Sequence, residues 1–151
     1  MDKPNLTSDD IQLQIHADDW RDALRKAAKP LVSTGDIEAS YIEDMIQAVE
    51  KLGPYIVIAP GLALGHARPS GDVHRPCLSI ATLDEPVSFG SATNDPVDIV
   101  VVLAAVDDSA HIELLQQIVV FLNQEGSFEL LRNARTSEDA RKIIESINGG
   151  E

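Results

Sequence analysis

The chain has 151 residues, 44% hydrophobic and 25% charged, which suits one folded domain and excludes a disordered or fibrous class. Lys and Arg number 12 against 25 Asp and Glu, a net charge of −13 that repels a phosphate backbone and excludes nucleic acid as an expected partner. The only cysteine, Cys77, allows no intrachain disulfide and fits a reducing cytoplasm.

In chain order, MDKPNLTSDD carries no cationic segment followed by an apolar one, and no run approaches membrane-spanning length, so a cytoplasmic chain is expected. A single domain over 1–151 is expected, with residues 1–9 flexible. IQLQI at 11–15 alternates as a half-buried strand does and predicts Ile11, Leu13 and Ile15 on one face. From Asp18 the period becomes helical, with Trp20, Leu24, Ala27, Ala28 and Leu31 on a stripe that Gly35 stops. Tyr41, Ile42, Met45, Ile46, Val49 and Leu52 form a second inward stripe, closed by Gly53 and Pro54.

YIVIAPGLALGHA predicts two short extended pieces joined at Pro60-Gly61, with His66 at a strand end. CLSIATL at 77–83 is a further strand, and DIVVVLAA at 98–105 is apolar on both faces, as a central covered strand is. Residues 69–76 and 84–96 have the composition of surface loops. A helix is expected over 109–123, buried broadly through Ile112, Leu114, Leu115, Ile118, Val119, Phe121 and Leu122. Helical pieces follow near 126–133 and 137–147, the latter opening at Thr136 or Ser137. Together these elements predict an α/β fold, a mixed β-sheet with helices packed on both faces (an α/β/α sandwich).

Of the four histidines, His16 follows a strand and His74 sits in the polar SGDVHRP loop, and both are expected in solvent. His111 lies in VDDSAHIELL, where Asp108 or Ser109 as N-cap places the imidazole in a first helical turn. A neutral ring there, beside the positive end of the helix dipole, can donate to a phosphate, or it is a surface histidine near a cap. His66 is approached by Gly61 and Gly65, which permit close contact by another molecule, and Arg68 adds a forked donor for anionic oxygens. Its imidazole is available near neutral pH as a nucleophile forming a transferable phosphoramidate, or is a satisfied structural histidine. His66, His74, Cys77 and His111 lack a second paired spacing for zinc, and no P-loop, G-x-S-x-G or G-x-G-x-x-G motif occurs. Asp107 and Asp108 fit capping and dipole roles, and Cys77 fits a packed strand position.

YIVIAPGLALGHARP together with PVSFGSATNDPVDIVVVLAAVDDSAHIELL resembles the enzyme IIA domains of the phosphoenolpyruvate-dependent sugar phosphotransferase system. The likeness is to the mannitol/fructose type and its ascorbate-specific branch, and it runs from about Trp20 through the last helices. It implies that His66 accepts a phosphoryl group on Nε2 from the phosphocarrier HPr and passes it to a IIB component. It also implies that His111 donates to the phosphoryl oxygens, with Arg68 and Gly65 as phosphate-binding candidates and no metal or cofactor. A membrane permease would be reached only through IIB, L-ascorbate or a related sugar is the implied cargo, and the sequence sets no oligomeric state. A regulatory phosphorylation module binding a protein partner, without a transport role, is the alternative. Two departures stand out: Gly65 replaces the proline usual before the nucleophile, predicting a more flexible approach, and Glu50 and Lys51 stand where mannitol-type members carry an arginine.

Overall fold

The computed structural model describes residues 6–69 and 71–149. Among them are strands β1 (Ile11–Ile15), β2 (Val57–Ala59), β3 (Leu62–Gly65), β4 (Cys77–Val87) and β5 (Val97–Ala104). Helices are α1 (Trp20–Ser33), α2 (Ala39–Leu52), α3 (Asp108–Leu122), α4 (Ser127–Asn133) and α5 (Ser137–Gly149). The strands form one mixed sheet in the order β1-β4-β5-β3-β2; β1 with β4 and β3 with β5 run parallel, the other two pairs antiparallel.

The alternation within β5 sorts the molecule into two cores. Val100, Val102 and Ala104 face the cluster built on α1 and α2, whereas Ile99, Val101 and Leu103 face the cluster built on α3, α4 and α5. A central strand covered on both sides needs apolar residues at every position, which is why DIVVVLAA shows no polar alternation. On the α1 side the sheet presents small residues, and α1 answers with Ala23, Ala27 and Ala28, all fully buried. The approach is close enough for the Ser79 hydroxyl in β4 to donate to the Ala27 carbonyl at 2.7 Å. Pro30 lies inside α1 and has no N–H for the Lys26 carbonyl one turn back. Gln12 Nε2 donates to that carbonyl at 2.6 Å, so β1 satisfies the acceptor that the proline frees.

Several expectations need correction. Ile11 and Leu13 pack on the α3–α5 side, but Ile15 packs on the α1–α2 side. The reason is local: Gln14 has φ 55, and the β1–β4 register shifts between Gln12 and Ile15, which turns the strand over. Leu52 closes the α2 stripe in sequence yet is 70% exposed, because Gly53 ends the helix with φ 89 beyond the reach of the core. β4 continues to Val87, so the loop expected from 84 begins at Ser88. In α3, Ile112 and Val119 are exposed, and burial centres on Ala110, Leu114, Ile118 and Phe121. Of the N-terminal stretch expected to be flexible, residues 1–5 lie outside the described residues. Leu6 is buried, and its backbone N–H and carbonyl are both bound by the Asn148 side chain at 3.1 and 3.2 Å.

Candidate active site

The parallel pairing of β3 with β5 brings two distant segments to one end of the sheet. His66 is the first residue after β3, and α3, which carries His111, begins shortly after β5. The His66 and His111 ring centroids are 5.4 Å apart at 62°. Tyr55 stands edge-on to His66 with centroids 5.8 Å apart. These residues, with Ala67, Arg68, Pro69 and Asp108, line an open pocket of about 240 Å³.

One ring nitrogen of His66 is already committed. Nδ1 lies 2.9 Å from the Leu64 carbonyl oxygen, which can only accept, so Nδ1 carries the proton and Nε2 keeps its lone pair. The hairpin that delivers this residue is fixed at its turn. Arg132 of α4 pairs with Asp98 of β5 and donates from Nη2 to the Pro60 carbonyl at 3.0 Å. Gly61 has φ 79, and a Cβ there would be strained and fall 2.3 Å from Arg132 Nη2, so a side chain would displace the guanidinium from the turn. Gly65 is buried and pairs with Val102; a Cβ on it would lie 3.0 Å from Leu24 Cδ2 and 3.4 Å from Met45 Sδ. The close approaches foreseen at Gly61 and Gly65 are therefore made by this chain's own side chains, not by another molecule. Gly65 belongs to the sheet ladder rather than to a loose approach loop, and it does not line the pocket.

His111 sits one turn into α3. The N-cap is Asp107, one residue before Asp108 and two before Ser109, the expected caps; its Oδ1 accepts from the Ala110 N–H at 2.8 Å, and its carbonyl accepts from the His111 N–H at 3.0 Å. Asp107 wins because its φ of −153° is extended, as capping geometry requires, whereas Asp108 is already helical. Burial, then the neighbouring His66, hold the His111 pKa below the ordinary histidine value, with Asp108 opposing. Its Nδ1 is sealed from solvent and has no hydrogen-bond partner among the described residues. A sealed N–H lacking an acceptor costs more than a sealed lone pair, so the neutral ring keeps its proton on Nε2.

Arg68 is exposed on the pocket wall and makes no ion pair among the described residues. His16 is exposed and bonds Asp84 and Asp18. His74 pairs with Glu38 in solvent, and Cys77 is buried in β4 with its thiol pushed up by burial, so neither joins His66 and His111. The described residues contain no group of three or more His, Cys, Asp or Glu placed to hold a metal ion. No helix among them is long and apolar enough to cross a membrane. A second hollow, about 270 Å³ between α1 and the start of β4, is lined by Asp10, Asp36 and Arg75, but Arg75 is engaged with Asp36. Sequence reasoning did not find Tyr55; a tyrosine beside a Gly-Pro helix stop carries no signal that it will edge a histidine 11 positions on.

The model of the family described as "Phosphoenolpyruvate-dependent sugar phosphotransferase system, EIIA 2" matches residues 5–147. The chain is 39% identical over 139 residues to the ascorbate-specific PTS system EIIA component of Salmonella typhimurium, covering 91% of this chain and 90% of that protein. Its fold is similar to the mannitol-specific cryptic phosphotransferase enzyme IIA of Escherichia coli, with TM-score 0.82 and 27% identity, covering 93% and 94% of the two chains. It is likewise similar to the mannitol enzyme IIA of Escherichia coli solved in complex with phosphorylated enzyme IIB, with TM-score 0.80 and 23% identity over 93% and 96%. At that last identity the likeness speaks for the fold.

Proposed function

The chain belongs to the EIIA 2 family of the phosphoenolpyruvate-dependent sugar phosphotransferase system, and from that membership we propose that His66 is its phosphoryl acceptor. The observation that carries the proposal is the Nδ1–H to Leu64 carbonyl bond, which leaves the Nε2 lone pair open in the pocket shared with His111. In the proposed reaction Nε2 attacks the phosphorus of phospho-HPr in line. The new N–P bond forms as the bond to the HPr imidazole breaks, and that imidazole leaves with the electron pair. The reverse geometry hands the group to a IIB component. His111 Nε2–H and the Arg68 guanidinium donate to the three equatorial oxygens, where charge is spread in the transition state. Positioning and these donors supply the catalysis; Gly65 contributes by letting β3 pack tightly beneath His66.

The proposed acceptor of the phosphoryl group is a IIB protein, in line with the phosphorylated enzyme IIB in the Escherichia coli complex, and the proposed cargo is L-ascorbate, in line with the ascorbate-specific Salmonella relative. The proposed setting is the cytoplasm, with one domain over the whole chain. Incubation with phosphoenolpyruvate, enzyme I and HPr, followed by mass spectrometric mapping, tests the reading. Acid-labile label on His66 is expected, and a His66→Ala variant that still takes up label would assign the acceptor elsewhere.

A further inference from the structure

We propose that Tyr41 is a positioning residue for phosphoryl transfer, its hydroxyl latching the backbone that follows His66 to the end of β5. The proposal rests on the reading of His66 as acceptor.

Tyr41 lies in the first turn of α2 with its side chain wholly buried. Its oxygen accepts the Ala67 N–H at 2.9 Å and lies 3.1 Å from the Leu103 carbonyl and 3.2 Å from the Ala67 carbonyl. A phenol has one proton, so it serves one of those carbonyls at a time while accepting from Ala67. The position is informative. The β3–β5 ladder ends at the Gly65–Val102 pair; beyond it the chain leaves the sheet to raise His66 into the pocket, while β5 runs on through Leu103. The hydroxyl therefore bridges the two diverging segments just past their last register pair, one residue beyond it on β5 and two beyond it after β3.

Two consequences follow for the site. The His66 ring is fixed from both directions, through its own Nδ1 to the Leu64 carbonyl and through the next residue's amide to Tyr41. Leu103 leads within four residues to Asp107, the cap of the helix that carries His111, so one hydroxyl connects both histidine-bearing segments. The rigidity that proline would give at position 65 is supplied here at position 67. A proline ring at 65 would meet Leu24, already 3.0 Å from a Cβ placed there.

Tyr41→Phe removes one oxygen and keeps the ring. The expected result is a kcat for labelling by phospho-HPr lower by roughly ten- to a hundredfold, with KM little changed, as misplacement of a reacting group produces. Faster hydrogen exchange at the Ala67 amide should accompany it. Val49→Ala, eight positions further along the same buried stripe of α2 and without the hydroxyl that binds Ala67, controls for general loosening and should keep kcat and Ala67 exchange. A Tyr41→Phe chain labelled at the wild-type rate, or a Val49→Ala chain slowed as much, overturns the latch. An unprotected Ala67 amide in the wild-type chain overturns it as well, whether or not the variant folds. A wild-type chain that takes no label removes the acceptor reading instead, an outcome distinct from these.

Discussion

At the scale of single residues, the environment of His111 sets its titration. Burial and the adjacent His66 lower its pKa, so at neutral pH the ring is uncharged and keeps one N–H available to donate. A dianionic phosphoryl group on His66 reverses the balance, and an NMR titration is expected to show the His111 pKa rising on phosphorylation. The depressed value also has a stability sign. The unfolded chain binds the proton more readily, so His111 contributes stability above the ordinary pKa near 6.5, lost as pH falls below it. His111→Ala should still accept label at His66 but transfer it about a hundredfold more slowly, the usual cost of losing one preorganised donor, measured by rapid-quench transfer to a IIB partner. The strand end at His66 and the helix start near His111 were legible as local patterns, whereas the roles proposed for the two rings came from the family resemblance. Tyr41 was not: in the sequence it is one more member of an apolar stripe, and the partners of its hydroxyl lie 26 and 62 positions away.

At the scale of elements, the start of α3 decides where His111 stands. Asp107 satisfies the Ala110 N–H, and its replacement by Ala is expected to cost about 1 kcal/mol in urea unfolding. Transfer should slow beyond what that loss explains, because the freed turn carries His111; matched measurements of unfolding midpoint and transfer rate check both. Helix periodicity in the sequence identified α1, α2, α3 and α5, and the buried stripes of α1 and of α2 short of Leu52, since apolar spacing is what drives their packing. It placed the α3 cap one or two residues late because Asp107, Asp108 and Ser109 are all competent cap residues, and backbone dihedrals choose among them. The loop from Ser88 to Pro96 shows the same limit. Its Asp95 carboxylate gathers the N–H groups of Phe89, Gly90 and Ser91 and the Ser88 hydroxyl, a cluster that composition alone presents only as a polar loop.

At the scale of the whole molecule, the chain carries a net charge of −13 and exposes apolar side chains at Tyr55 in the pocket and at Val106 and Ile112, close in sequence to the pocket residues Asp108 and His111. Charge acts at a distance and apolar contact only on touching, so the two make different predictions for docking. Phosphoryl uptake from a cationic phosphocarrier is expected to slow as ionic strength rises, measured under limiting carrier; a rate flat with salt assigns encounter to the apolar residues. The α/β/α layering was legible from the apolar run over 99–105 flanked by amphipathic helices. The strand order was not, since no local pattern states that residues 11 and 80 become neighbours. The turn at Gln14, which sends Ile15 to the opposite core, has a further consequence at this scale. β1 and β2 form the two rims of the sheet; β2 spans three residues and β1 is broken by that turn, so neither offers a long straight row of unpaired amides to a second chain. The bend that spoils the alternation of IQLQI thus guards a concentrated, sheet-centred protein against adding strands from its own copies and growing into aggregates.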